Sequence, residues 1–232
     1  MLTDIATNAE VNGERLVLDC AGAVWWPAER TLIVSDVHLE KGSSYARRGV
    51  LLPPYDTRTT LNRMGSLIAQ YSPARVIALG DSFHDGEGAD RLDSDERGQL
   101  LSFVSHREWI WIEGNHDPHP PAWLGGIVTE EIAIGGLVFR HAPSKTPQPG
   151  EIAGHLHPCA SIALRGKSIR RRCFAADETR LVMPAFGAYT GGLDVRDRAI
   201  AALFADAFAA YMLGGRRVYA VPARGTPRLA IA

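Results

Sequence analysis

The sequence predicts an α/β fold from three observations: short apolar runs that close on Gly, Asp or Asn, an amphipathic helical stretch between two of them, and a second helical stretch with acidic residues in its first turn. The apolar runs lie at residues 15–19, 31–35, 75–79, 109–112 and 137–140, and are rich in Val, Ile, Leu or Trp, as buried strands are. Between the second and third, residues 56–71 carry Leu61, Met64, Ile68 and Tyr71 at helical spacing, with Pro73 just beyond the end. That order makes a β-α-β unit. A second helix is expected over 94–106, with Ser94 as N-cap, Asp95 and Glu96 favouring the positive end of the helix dipole, and Leu100, Leu101 and Val104 facing inward.

Toward the C-terminus the pattern becomes more purely β. Runs at 161–164, 168–174 and 180–183 read as short strands, residues near 195–205 as a helix, and 208–213 with 216–221 as a hairpin turned by Gly214 and Gly215. The Pro-rich stretches at 118–121 and 143–149 are loops inside the domain, because motif residues lie on both sides of each. With no internal repeat or low-complexity tract, residues 1–232 read as a single domain.

Composition narrows the class. A chain of 232 residues with 46% hydrophobic content can fill one large core. The apolar runs at 199–204 and 208–213 fall far short of the roughly 20 residues a membrane helix needs, and no basic segment followed by an apolar one opens the chain. We therefore expect a soluble, cytoplasmic protein without membrane contact. Three cysteines, Cys20, Cys159 and Cys173, are an odd number without CxxC spacing, which predicts reduced, buried thiols. A net charge of -1 exerts no general pull on nucleic acid, so such a partner must meet a local basic surface.

The chemistry lies at the ends of the apolar runs. In order they are Asp36-Val37-His38, Gly80-Asp81, Gly114-Asn115-His116-Asp117, His141 and Gly154-His155-Leu156-His157. Every such Asp, Asn or His is a metal ligand or proton donor by type, and open α/β sheets bind ligands beyond the carboxyl ends of their strands. A lone Asp-x-His is a weak signal; the ordered series is a strong one.

At these five motifs the chain resembles the calcineurin-like metallophosphoesterase superfamily. The resemblance implies a four-layer αββα sandwich, two central mixed sheets flanked by helices. It implies two divalent metal ions, with Asp36, His38, Asp81 and His157 on the first, Asp81, Asn115, His141 and His155 on the second, and Asp81 bridging. Manganese is favoured, with iron or zinc as alternatives, because the donors are nitrogen and oxygen without thiolate. Hydroxide activated between the two metals would attack phosphorus, and His116 matches the family's proton-donor position. Many phosphatases of this superfamily carry Gly-Asp-x-x-Asp-Arg-Gly; here the stretch is Gly80-Asp81-Ser82-Phe83-His84-Asp85-Gly86, which argues against a protein phosphatase and leaves open what orients His116.

A closer resemblance covers nearly the whole chain. Trp25-Trp26-Pro27, the run Asp36 to Gly42, Arg47-Arg48-Gly49, Gly80 to His84 and the run Leu181 to Gly192 look like the ligase-associated DNA damage response endonuclease family. That resemblance implies cleavage of DNA phosphodiester bonds and a link to a DNA ligase, a helicase and an exonuclease. Alternatives are a phosphodiesterase or pyrophosphatase acting on a small nucleotide or lipid precursor, and a non-catalytic scaffold; the presence of His116 with all seven ligands weighs against the scaffold.

Other residues have plainer readings. Lone histidines in loops usually cap, turn or face solvent, and His84, His106 and His119 are read so, although His84 follows Asp81 by three residues and is a candidate for substrate contact. Arg47 and Arg48 are candidates to bind substrate phosphate through the guanidinium fork. Arg165, Lys167, Arg170, Arg171 and Arg172 form either a nucleic-acid grip or a solvated hairpin face. The tryptophans at 25, 26, 109 and 111 are expected in the core, and Cys159 is read as small buried filler. The glycines of 186–192 permit a tight turn, in a loop that borders the active site on a second reading.

Overall fold

The computed structural model describes residues 6–164, 166–205 and 207–224. Its first sheet has seven strands in chain order: β1 (Ala6–Val11), β2 (Glu14–Asp19), β3 (Val24–Trp26), β4 (Thr31–Ser35), β5 (Arg75–Leu79), β6 (Glu108–Ile112) and β7 (Ile127–Thr129). From β1 to β4 the pairing is antiparallel, and from β4 to β7 it is parallel. Parallel neighbours need crossovers that carry the chain back. Helices α1 (Lys41–Ala46) and α2 (Asp56–Tyr71) return it from β4 to β5, and α3 (Ser94–Ser105) from β5 to β6.

The second sheet is formed by β8 (Glu131–Ile134), β9 (Leu137–Arg140), β10 (Glu151–Ala153), β11 (Cys159–Leu164), β12 (Lys167–Ala176), β13 (Arg180–Val182), β14 (Phe208–Leu213) and β15 (Val218–Arg224). Its order is β15-β14-β12-β13-β10-β9-β8, with β11 paired to β12 off that path. Both pairings of β10, with β9 and with β13, are parallel; the others in this sheet are antiparallel.

Strand alternation builds the layers. Ile33, Ile77, Leu79, Ile110 and Ile112 pack between the sheets against Phe139, Ile152, Phe174, Leu181 and Met183. Their neighbours Leu32, Val34, Val76, Ala78, Trp109 and Trp111 share the other core, with Leu61, Met64 and Leu67 of α2 and Leu100 and Val104 of α3. A third cluster joins Cys173, Ala175, Val182, Ala210 and Met212 to Ile200 and Phe204 beyond the second sheet. The result is the αββα arrangement, with a thin outer layer on the second sheet, where among the described residues the one α-helix, α4, spans Arg198–Ala201.

Local expectations needed correction. The N-cap of α3 is Asp93 instead of Ser94: Asp93 is extended, and its carboxylate accepts the Glu96 amide at 2.7 Å. The helix expected over 195–205 shrinks to α4, because the chain leaves it in time to stack Phe204 on Phe208 with ring centres 4.2 Å apart. The hairpin's second strand begins at Val218 instead of Arg216. Cys20 is half-buried, whereas Cys159 and Cys173 are buried; all three are free. Trp26, Trp109 and Trp111 are core residues, and Trp25 stacks on Tyr71. Among the described residues no helix is long and apolar enough to cross a membrane.

Candidate metal centre

The strand ends converge as the topology requires. Asp36 and His38 follow β4, Asp81 follows β5, Asn115 and His116 follow β6, His141 follows β9, and His155 and His157 follow β10. Asp36, His38 and His157 bring one ligand atom each within 4.8 Å of one another, as do Asp81, His141 and His155. Asp81 Oδ2 stands between the sets, 3.8 Å from His38 Nε2 and 3.5 Å from His141 Nε2. Asn115 joins the second, with Oδ1 2.9 Å from His141 Nε2.

The backbone here is strained. Asp36, His38, Asp81, His155 and His157 have φ of 51, 46, 47, 67 and 47°, in the left-handed region that residues with a Cβ rarely enter. Five of the seven candidate ligands share this conformation, a concentration that marks functional sites. Glycine makes room for it: a Cβ at Gly114 would collide with the main-chain nitrogen and carboxylate of Asp81.

The donor set fits divalent cations. His141 Nδ1 donates to the Leu79 carbonyl at 2.9 Å, so in the neutral ring Nε2 is a lone-pair atom. That lone pair faces the Asn115 side-chain oxygen, the Asp81 carboxylate and, at 3.1 Å, His155 Nδ1. Such a cluster of nitrogen and oxygen donor atoms suits a divalent cation. His38 Nδ1 and His157 Nε2 are buried without hydrogen bonds, and His157 Nε2 lies 3.1 Å from Asp36 Oδ1.

Charge states agree. Burial opposes the charge on Asp36, but His157, His141 and Ser35 outweigh it and hold the carboxyl below its ordinary value. Burial pushes His38 down to about 3, against the pull of Asp36, which keeps the ring in the neutral form that ligates metals.

His116 is 39% exposed at its side chain, and its Nε2 lies 4.0 Å from Asp81 Oδ2. It is held from two sides: its amide donates to the Asp81 carboxylate at Oδ1, 2.9 Å away, and its Nδ1 donates to the His84 main-chain carbonyl at 2.8 Å. His84 departs from its plain reading. It is buried, its ring packs against those of His38, His116 and Tyr45, and it forms a third close group with His38 and His116. Burial lowers its pKa to about 4, with Lys41 the next contributor. His106 and His119 are exposed. Arg47 pairs with Glu87 on the surface, a contact of little strength, and Arg48 is close enough for its charge to act on His84.

Two features escaped sequence reasoning. Asp117, the last residue of the Gly-Asn-His-Asp motif, accepts the Phe83 amide at 2.9 Å and so holds the turn that carries His84. Burial pushes its pKa up to about 8. Arg172, counted with the basic run, turns inward to the carbonyls of the 185–187 loop, whereas Lys167, Arg170 and Arg171 are exposed; Arg165 lies outside the described residues.

Known proteins share the family and the fold. A family model described as calcineurin-like phosphoesterase matches residues 29–159, the stretch that includes all five candidate metal motifs from Asp36 to His157. Among solved structures, the Pseudomonas putida nuclease MPE aligns with a TM-score of 0.71 at 30% identity, covering 93% of this chain and 100% of that one. Yfce, a phosphoesterase from E. coli, aligns over 82% of this chain and 97% of its own, but 14% identity and a TM-score of 0.41 carry no argument. No curated protein matches the chain.

Proposed function

Since this chain belongs to the calcineurin-like phosphoesterase family, hydrolases of phosphoester bonds that use divalent metals, we propose that it is a two-metal phosphodiesterase whose substrate is DNA. The observation that carries the two-metal reading is the position of Asp81 between two sets of nitrogen and oxygen donors. DNA is favoured because a nuclease is 30% identical over 93% of this chain. The sequence resemblance extends the proposal to endonucleolytic cleavage beside a DNA ligase, a helicase and an exonuclease.

In this reading Asp36, His38, Asp81 and His157 hold one ion and Asp81, Asn115, His141 and His155 the other, with Mn²⁺ favoured over iron or zinc. When bound, the ions supply a nucleophilic water and offset charge on the phosphoryl oxygens. His116 holds its ring by Nδ1 and delivers a proton from Nε2 to the leaving oxygen. Arg48 and His84 border that position and contact the substrate's phosphate, with Arg47 released from Glu87 as a further donor.

The test is cleavage, with each divalent metal in turn, of closed circular single-stranded DNA, duplex and gapped DNA, and of cyclic and linear nucleotides. Linearised circles support an endonuclease. Turnover confined to nucleotides would replace DNA with a small substrate, and no turnover with any metal would end the enzyme reading.

A further inference from the structure

Two arginines from different elements, Arg63 of α2 and Arg172 of β12, converge on the short loop 184–187. Arg172 Nη1 donates to the carbonyls of Ala185, Gly187 and Phe186 at 2.7, 3.2 and 3.3 Å. Arg63 donates to the Phe186 carbonyl as well, with its guanidinium 4.4 Å from the centre of the Phe186 ring. Among the described residues no carboxylate is a principal influence on the charge of either. Burial, reinforced by Arg172, brings the pKa of Arg63 down to about 10. Apolar side chains would fill this space without that desolvation, so the cations serve to fix carbonyl direction.

The opposite edge of the same loop touches the metal motif. The Phe186 amide donates to the Ser35 carbonyl at 2.7 Å and the Gly187 amide to the Asp36 carbonyl at 3.1 Å. A Cβ at residue 187 would collide with the Val37 carbonyl, so the loop lies directly on the turn that carries Asp36 and His38. Each of those residues holds a left-handed conformation, which costs on the order of 1–3 kcal/mol and persists only where its surroundings enforce it.

We infer that Arg63 and Arg172 are positioning residues: they clamp the loop by its carbonyls, and the loop's amides hold the Asp36-Val37-His38 turn in the geometry that aims both ligands at the first metal set. The inference rests on the two-metal reading and deepens it. It assigns an effect on one of the two sites to residues that touch neither.

The experiment titrates Mn²⁺ into metal-stripped wild type, Arg172→Met, Arg63→Met and Arg172→Lys, by calorimetry and electron paramagnetic resonance. Amide hydrogen exchange is followed on the same proteins without metal. Loss of the clamp should weaken one Mn²⁺ site by about 10- to 100-fold and leave the other unchanged, converting a coupled two-ion spectrum to a single-ion one. Exchange should speed up at Phe186 and Gly187 and in the turn 36–38, without change along β10. Arg172→Lys should recover part of the affinity, since an ammonium also donates to carbonyls but lacks the planar guanidinium that fixes the donor's direction. Equal weakening of both sites with a uniform rise in exchange, or wild-type behaviour in both measurements, overturns the inference. If wild type itself binds no pair of ions, the two-metal reading fails, and the exchange pattern alone decides whether the clamp exists. Should Arg172→Met not fold, Arg63→Met and Arg172→Lys give the same readings.

Discussion

Nδ1 of His116 lies 2.8 Å from the main-chain oxygen of His84. A carbonyl only accepts, so Nδ1 carries the hydrogen and Nε2 is the atom that gains and gives the second proton. The place of an orienting side chain is thus taken by backbone, two residues of which, Phe83 and His84, follow the central carboxylate motif.

This relationship makes His116 separable from metal binding. His116→Ala should keep its metal content and lose about 10²–10⁴ in turnover on a diester whose leaving alcohol needs a proton. With nitrophenolate, which departs unaided, the loss should be much smaller. An equal fall on both substrates at full metal content would assign His116 to phosphoryl binding instead.

Asp81 faces both donor sets, so Asp81→Ala should deplete both ions together with activity, while His157→Ala should chiefly weaken one. Elemental analysis of the purified variants reads this directly. Two tightly held ions in Asp81→Ala would sink the bridging role.

Acid sensitivity can be assigned at Asp85. Burial opposes its charge, yet hydrogen bonds from Arg91 and Ser44 bring the pKa down from 3.8 to about 2. A depressed carboxyl stabilises the fold above its unfolded pKa and loses that contribution as pH falls through the folded value. Because the pair is partly exposed, screening trims the effect to on the order of 1 kcal/mol. Asp85→Asn should therefore lower the urea midpoint at pH 7, with the gap closing between pH 4 and 2. A gap independent of pH would refute the assignment.

Arg180 and Glu151 form an ion pair at 2.8 Å, with side chains 2% and 0% exposed. Arg180 also donates to the carbonyls of Leu203 and Thr146, and Glu151 accepts the Ser144 amide, so the pair ties together the loops after β9 and α4. Arg180→Met leaves the buried Glu151 carboxylate only Arg140, at 3.6 Å, as a cationic partner and should cost about 3 kcal/mol in equilibrium unfolding. Adding Glu151→Gln should restore a substantial part, and a double variant as unstable as the sum of its singles would show that charge burial is not the cause.

The sequence by itself determined most of the local elements and the inventory of candidate ligands. The continuous apolar run Leu32-Ile33-Val34 specifies a strand buried on both faces, and helical spacing at Leu61, Met64 and Ile68 specifies the crossover, because each pattern follows from the geometry of its own few residues. The ligand series was legible for a related reason: parallel strands bring their carboxyl ends together, so residues that close successive strands must meet. Tertiary structure decided what depends on distant partners. It buried His84 between His38, His116 and Tyr45, turned its carbonyl toward His116, gave Asp117 the Phe83 amide, and drew Arg172 out of an apparently basic surface run toward the loop at 185–187. Residues 63, 172 and 186 share no local pattern, and which carbonyl a guanidinium meets is set only when the two sheets and α2 have packed.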